Sequence, residues 1–163
     1  MTVSLKPMDP ATFEQWKVVN RAEYVESRMK AGESREAAQD NANRSFERYF
    51  PNGVPGPDQV VFDVVDTPDD AADGPSEGEV VGVLWIGVSD AANRAWYVYD
   101  IEMHESQRGR GLGRQTMLLA EAEARARGAQ SLGLNVFGFN TVARHLYESL
   151  GYEPTAIQMK KPL

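Results

Sequence analysis

The chain has 163 residues, of which 42% are hydrophobic and 25% charged, a composition typical of a globular domain rather than of a disordered or fibrous protein. Its formal net charge of −7 at pH 7 argues against general affinity for nucleic acid, which depends on phosphate neutralisation by Lys and Arg. Without cysteine and with only two histidines, the chain offers no disulfide, no thiolate nucleophile and no usual zinc ligand set, so we expect no metal.

The length predicts one domain that spans residues 1–163. The first residues lack the basic and apolar regions of a secretory signal, and no apolar run approaches the roughly 18 residues of a membrane helix. We therefore expect a cytoplasmic protein that does not contact membrane.

In the first half of the chain, hydrophobic periodicity predicts a strand, two helices and two further strands. They cover residues 2–7, 11–30, 34–50, 59–66 and 79–88. Asp9 and Ser34 are the expected helix caps, because their side chains can accept hydrogen bonds from first-turn amides.

An acidic stretch lies between Tyr49 and Asn93, with nine Asp and Glu residues and no Lys or Arg. It includes a predicted surface loop over residues 67–79. We interpret the stretch as a solvated surface, and attraction of a cationic substrate is the alternative.

The second half of the chain predicts alternating strands and helices over residues 95–103, 112–128, 131–137, 141–150 and 152–161. The last is a strand in which Ile157 and Met159 alternate with polar residues. The whole order, β-α-α-β-β-β-α-β-α-β, predicts an α/β fold with one mixed sheet and helices on both faces.

Between the strand over 95–103 and the next helix stands Arg-Gly-Arg-Gly-Leu-Gly-Arg, residues 108–114. Glycines let a backbone approach an oxyanion, and the free amides and dipole of a helix N-terminus favour negative charge. Arg108, Arg110 and Arg114 could add charged donors. The segment therefore predicts a pyrophosphate cradle, and a glycine-rich turn with solvated arginines is the alternative.

Two other phosphate motifs fail when their spacing is tested. Arg114 and Thr116 stand where the two dinucleotide registers would require glycine or alanine, and no Gly-Lys-Ser/Thr triplet is present for a Walker loop.

Two motifs in register carry a family resemblance. The first, Arg/Gln-x-x-Gly-x-Gly/Ala, is matched by Arg108, Gly111 and Gly113, with an additional glycine at 109. The second reads Asn-Thr-Val-Ala-Arg-His-Leu-Tyr-Glu-Ser-Leu-Gly-Tyr and is matched by Asn140, Ala143, Leu146, Tyr147, Gly151 and Tyr152. In both, the chain resembles the GNAT superfamily of acyl-coenzyme A dependent N-acyltransferases. The close resemblance covers residues 95–161, whereas the N-terminal half shares only the order of elements.

The resemblance implies transfer of an acetyl group from acetyl-coenzyme A, as co-substrate, to a primary amine of a small molecule or peptide without a covalent enzyme intermediate. It assigns the pyrophosphate to Arg108, Gly109, Arg110, Gly111, Leu112, Gly113 and Arg114. It assigns the thioester carbonyl and the pantetheine arm to the backbone amides of Ile101 and Met103. Asn140 would cap its helix and bind the pantetheine, and Tyr147 would face the sulfur of the coenzyme as general acid.

The general base is left open between two carboxylates of one predicted strand. Asp100 and Glu102 share a face with Trp96 and Val98 unless the strand is bulged. Either could accept the ammonium proton if burial raises its pKa, and we favour Glu102 because it lies nearer the acyl end. A carboxylate exposed at the surface or held in a salt bridge is the alternative.

Three other residues bear on the base. Asn135 stands where some relatives carry a glutamate, and an amide cannot act as a base. His104 is a minor candidate, and His145 is expected to face solvent.

A non-catalytic acyl-coenzyme A binding or sensing domain is the alternative function. Tyr147 distinguishes the two, because a sensor needs no acid for a departing thiolate. The fold would also allow exposed strand edges to pair in a homodimer.

Overall fold

The computed structural model describes residues 2–68 and 78–163, so most of the predicted surface loop over 67–79 lies outside the described residues. The strands are β1 (Thr2–Pro7), β2 (Gln59–Thr67), β3 (Glu79–Asp90), β4 (Ala95–Met103) and β5 (Ser131–Leu134). The helices are α1 (Pro10–Lys30), α2 (Arg35–Tyr49), α3 (Leu112–Ala126) and α4 (Thr141–Ser149). Over these two ranges no helix is long and apolar enough to cross a membrane.

The described strands form one sheet in the order β1-β2-β3-β4-β5. The first four strands pair antiparallel, and β5 pairs parallel to β4. The predicted mixed sheet of an α/β fold is thereby confirmed.

Helix boundaries follow the predicted caps. The Asp9 carboxylate accepts hydrogen bonds from the amides of Ala11 and Thr12 at 3.0 and 3.1 Å, and Pro10 starts α1 where no amide donor is needed. Ser34 accepts from the amide of Ala37 at 3.2 Å and begins α2. Local chemistry therefore positions both N-terminal helices on the sheet.

The helices cover the two faces of the sheet, as the period-two pattern of β3 shows. Leu84 and Ile86 are fully buried in the core beneath α3, whereas Trp85 between them lies in an aromatic cluster under α1 and α2. The aromatic cluster consists of Phe13, Trp16, Phe46, Tyr49, Phe50, Trp85 and Tyr99.

A β-bulge interrupts β4 at Tyr99. Ile86 lies opposite Val98 and Trp85 opposite Asp100, so Tyr99 is an additional residue on the β4 side. The bulge reverses the alternation, which places Asp100 and Glu102 on the α1 face. The expectation that these carboxylates share a face with Trp96 and Val98 is wrong for this reason, since both of those side chains lie in the core beneath α3.

The strand predicted over residues 152–161 is not formed, and those residues have no regular structure. Alternation alone does not make a strand, because a strand also needs a partner edge, and Pro154 lacks the amide to donate to one. Ile157 and Met159 are accordingly 78% and 88% exposed. β5 also ends before residue 137, where the amide of Asn140 donates to the carbonyl of Phe137 and the chain turns.

The buried carboxylate of Asp63 on β2 lowers the stability of the folded protein at neutral pH. Asp63 is 8% exposed, and burial, followed by the negative charge of Asp9, raises the pKa of its carboxyl above the ordinary value of 3.8. Lys6 and His104 offset part of this rise.

Replacement of Asp63 by Asn is expected to stabilise the protein at neutral pH. The pKa of Asp63 is higher in the folded protein than in the unfolded chain. The stability that the protonated carboxyl contributes to the folded protein is therefore fully present below about pH 4, and it is lost as pH rises through the raised pKa. We expect Asp63→Asn to melt about 2–4 °C higher than wild type at pH 7, the shift for about 1 kcal/mol in a chain of this size. Thermal melts from pH 3.5 to 8 test this, and an equal difference at every pH would contradict it.

Candidate active site

The site begins where β4 and β5 part. The two strands pair only between Ala95–Val98 and Ser131–Leu134. Beyond Val98, β4 continues to Met103, whereas β5 has ended. The separation opens a cleft at the C-terminal end of β4.

The backbone of β4 presents polar groups to this cleft. The amide of His104 donates to the carbonyl of Val81 on β3 at 2.9 Å. Because neighbouring residues of an antiparallel strand direct their amides and carbonyls to opposite sides, Met103 and Ile101 direct theirs away from β3. These are the two residues whose amides were predicted to face a thioester.

The glycine segment connects β4 to α3 by two left-handed residues. Gly109 has φ +78° and Gly111 has φ +77°, a conformation that other L-residues rarely adopt. Within residues 2–68 and 78–163, and leaving aside the glycine and its two chain neighbours, no atom lies within 4 Å of a Cβ built at either position, so the requirement concerns the backbone and not space. Gly111 also caps α3 without any side-chain hydrogen bond, which leaves the first-turn amides without a side-chain acceptor.

Two neighbours of these glycines anchor the start of α3. Leu112 is 1% exposed and inserts into the core, so its contribution to an anion site would come from its amide. Gly113 has an ordinary φ, and a Cβ there would meet Leu146 of α4 at a normal contact distance of 3.5 Å. The helix start therefore lies against α4.

Arg108 turns back from the glycine segment toward β4. Its Nε donates to the carbonyl of Met103 at 3.0 Å, and its Nη2 donates to Oε1 of Glu102 at 3.0 Å. One guanidinium therefore pairs both an open backbone carbonyl and an acidic side chain at the mouth of the cleft.

The other two arginines tie the segment to different elements. Arg110 donates to Oδ2 of Asp66 on β2 at 2.8 Å, and Asp66 is 6% exposed. Arg114 donates to Oγ of Ser149 on α4. In this structure, the three predicted anion donors connect the segment to β4, β2 and α4.

Asp100 is half-buried in the cleft, and its acidity is strongly altered. Burial raises the pKa of its carboxyl from 3.8 to about 7, and the negative charges of Glu102 and Glu23 contribute to the rise. Hydrogen bonds from the amide of Ile101 and from Trp16 offset part of it. A carboxyl that titrates near neutrality can exchange a proton at physiological pH.

α1 contributes three residues that the sequence reasoning missed. Trp16, Asn20 and Glu23 recur at helical spacing on one side of α1, and Asn20 is only 9% exposed. The Asn20 Nδ2 donates to Oδ2 of Asp100 at 2.8 Å. A polar residue at an i+4 position after a core tryptophan was the signal in the sequence.

Glu102, the predicted base, is more exposed than Asp100. Its side chain is 45% exposed and is held by Arg108. Burial, and next the charge and a hydrogen bond of Glu102, raise the pKa of Glu23 on α1. Among the residues that the structure describes, the cleft therefore brings together the carboxyl groups of Asp100, Glu102 and Glu23 and the guanidinium of Arg108.

α4 supplies the residues of the second motif. The Asn140 side chain accepts from the amide of Ala143 at 3.2 Å and begins α4, as predicted. Tyr147 is half-buried, and burial followed by the negative charge of Asp100 raises the pKa of its hydroxyl. The fold thus brings Tyr147 and Asp100 near each other from opposite sides of the sheet. His104 and His145 are both exposed.

Comparison with known proteins assigns this architecture to a family. The model of the acetyltransferase (GNAT) family matches residues 36–152, more than half of the chain. YycN, an uncharacterized N-acetyltransferase of Bacillus subtilis (strain 168), is 30% identical over 165 aligned residues that cover all of both chains. Its crystal structure superimposes with a TM-score of 0.84 over 99% of each chain at 29% identity.

Two other acetyltransferases match, one in part of the sequence and one in fold. Streptothricin acetyltransferase of Streptomyces lavendulae is 36% identical over 77 residues, which are 47% of this chain and 40% of that protein. The aminoglycoside N-acetyltransferase AAC(6')-Iy, solved in complex with coenzyme A, superimposes with a TM-score of 0.56 at 13% identity over 99% of this chain and 95% of its own.

The mixed sheet, with β4 and β5 parted at one end and a glycine segment before α3, matches the fold of acetyltransferases. The chain belongs to the acetyltransferase (GNAT) family. The family and its named members support N-acetyltransferase activity.

The two glycines of the motif are expected to respond differently to alanine. Gly111→Ala places a side chain on a left-handed residue and should cost about 1–2 kcal/mol. Gly113→Ala, the matched control, adds a Cβ at a helical φ with room for it, and should be neutral or stabilise by up to about 1 kcal/mol. Denaturant unfolding of the two variants measures the difference, and equal destabilisation would contradict the backbone explanation.

Proposed function

We propose that the protein transfers an acetyl group from acetyl-coenzyme A to a primary amine of a small molecule or peptide by direct attack. The observation that carries the proposal is the approach of two proton-exchanging groups across the cleft. Asp100 titrates near neutrality on the α1 side, and Tyr147 keeps its proton on the α4 side. Acyl transfer from a thioester to an ammonium group requires a base on the side of the amine and an acid on the side of the departing sulfur.

The residues around the cleft fit acetyl-coenzyme A, which would supply an activated thioester. The left-handed Gly109 and Gly111 expose the first amides of α3, a suitable environment for a pyrophosphate. The backbone of Ile101 and Met103 faces the open side of β4, where an extended pantetheine arm could pair with it. We assign binding of the same arm to Asn140 at the start of α4 as well.

Each step of the reaction is assigned to a residue of this chain. Asp100 accepts a proton from the acceptor ammonium, directly or through water, and frees the nitrogen lone pair for attack on the thioester carbonyl. A β4 amide stabilises the negative oxygen while the C–N bond forms. Tyr147 gives its proton to the thiolate as the C–S bond breaks, and the nitrogen of the new amide returns its second proton to the tyrosinate, directly or through water. No covalent enzyme intermediate is needed.

Asp100 is a better candidate for the base than Glu102. Its carboxyl is desolvated and receives the side-chain amide of Asn20, whereas Glu102 is 45% exposed and paired with Arg108. A base works best when its pKa lies near the working pH, which burial achieves for Asp100. We assign Glu102 to the electrostatic surroundings of the acceptor.

The charge around the cleft supports a cationic acceptor. Three carboxyl groups, from Asp100, Glu102 and Glu23, face it with one guanidinium, that of Arg108. Such a surrounding attracts an ammonium ion and repels anions. The name of streptothricin acetyltransferase agrees with acetylation of a small molecule.

Tyr147→Phe should lower turnover without weakening coenzyme binding. Loss of a general acid typically costs 10²-fold or more, and we expect kcat to fall by about 10²-fold while the Kd for coenzyme A changes less than about twofold. Thiol release with acetyl-coenzyme A across an amine library measures kcat, and calorimetry measures Kd.

The control is Tyr152→Phe. This variant removes a hydroxyl that donates to Glu121 at 3.2 Å, on a ring 6.1 Å from that of Tyr147. It should keep kcat within about threefold. Unchanged turnover in Tyr147→Phe would contradict the acid assignment, and tight coenzyme binding without transfer to any amine would indicate a sensing domain.

The pH profile should report the ionisation of Asp100. Because the ionised carboxylate is the active form, kcat/KM should rise with pH through about 7 and level off above it. Asp100→Asn should lose this inflection and lower kcat about 10²-fold. Glu102→Gln should keep the inflection and move it to lower pH, because one like charge is removed. The reverse pair of results would assign the base to Glu102.

A further inference from the structure

We propose that α1 supplies a positioning residue for the reaction, Asn20, which holds the carboxylate of Asp100 in place for proton transfer from the acceptor. This role rests on the proposed function and deepens it. The observation that carries it is the 2.8 Å hydrogen bond from Nδ2 of Asn20 to Oδ2 of Asp100, made across the interface between α1 and the sheet.

Asn20 is an unusual residue for its location. It is 9% exposed in the interior of a 21-residue helix, where asparagine is a poor helix former and a buried amide costs free energy unless it is hydrogen-bonded. Its partner is Asp100, a group that the helix does not need for its own stability. A carboxylate bound on one side by a buried amide loses rotational freedom, which favours one geometry for proton transfer.

The amide is itself held rigidly. One turn before it, Trp16 packs edge-on against Trp85 with ring centroids 5.9 Å apart, and Phe13 packs edge-on against Phe50 at 5.1 Å. These contacts fix α1 on the sheet before the chain reaches Asn20. The position of the donor is therefore set by the aromatic cluster rather than by a mobile loop.

One turn after Asn20, α1 carries a group with the opposite effect on the pKa of Asp100. Glu23 is a like charge for Asp100, whereas the Asn20 amide donates to the ionised form. In the described part of the chain, the other charged or titratable groups that face Asp100 are Glu102 on β4, with its partner Arg108, and Tyr147 on α4. Removal of the donor and removal of the like charge should therefore move the titration of Asp100 in opposite directions.

The test compares two variants of α1 by two readouts. Asn20→Leu keeps the side-chain volume and removes the donor. It should lower kcat about tenfold, leave the KM for acetyl-coenzyme A within about twofold, and shift the inflection of kcat/KM to higher pH. Glu23→Gln should shift the inflection of kcat/KM to lower pH, because it removes a like charge. Carbon-13 NMR of the Asp100 carboxyl in the free protein should show the same two shifts without turnover.

Asn43→Leu is the matched control, because Asn43 is exposed on α2 and contacts Arg21 rather than the cleft. It should leave kcat and both titrations unchanged. An Asp100 titration in Asn20→Leu equal to that of wild type overturns the proposal, as does a shifted titration with unchanged kcat. If Asn20→Leu fails to fold, Asn20→Ser, with a shorter donor, must show the same upward shift or the proposal is wrong.

Failure of the proposed function gives a different pattern. A wild-type protein that transfers acetyl to no amine, but whose Asp100 titration still responds to Asn20→Leu, contradicts the acetyltransferase assignment and not the contact.

Discussion

The active-site region depends on the parting of one pair of strands. If β5 continued beside β4 past Val98, the amides and carbonyls of Ile101 and Met103 would be paired within the sheet. Buried backbone groups that lose their partner are costly, and here Arg108 pairs with the carbonyl of Met103 in the absence of a strand. The same opening lets side chains from both layers of helices approach each other, which a continuous sheet would prevent.

The electrostatics of the cleft oppose stability. Asp100, Glu102 and Glu23 are close enough to perturb one another, and a fold selected for stability alone would separate or neutralise them. The donor on Asn20 and the guanidinium of Arg108 offset part of this repulsion. Burial, together with the remaining repulsion, raises the pKa of Asp100 to about 7, so the features that destabilise the folded protein also keep a proton exchangeable on this carboxyl.

Local signals predicted most of the fold, and non-local contacts account for the misses. Asp9 and Asn140 could be predicted as helix caps because capping acts within a few residues of sequence. β4 likewise extends over the predicted residues 95–103. The bulge at Tyr99 depends on the register with β3, which periodicity does not reveal. The strand predicted around Ile157 is not formed, because a strand also needs a partner edge, which periodicity does not reveal. Asp100 was named as a candidate, but its advantage over Glu102 comes from burial under α1, a contact between residues 80 positions apart.

The bulge in β4 makes the register between two strands decide which side chains line the cleft. If β4 paired regularly with β3 and had no bulge, Tyr99 would lie opposite Trp85 and Asp100 opposite Leu84, so the strand would exchange its two faces beyond Tyr99. Asp100 and Glu102 would then enter the apolar core beneath α3, and the side chains of Ile101 and Met103 would point toward α1. A substitution alters one side chain at a time, whereas a one-residue change of register here would exchange the lining of the cleft with that of the core in one step.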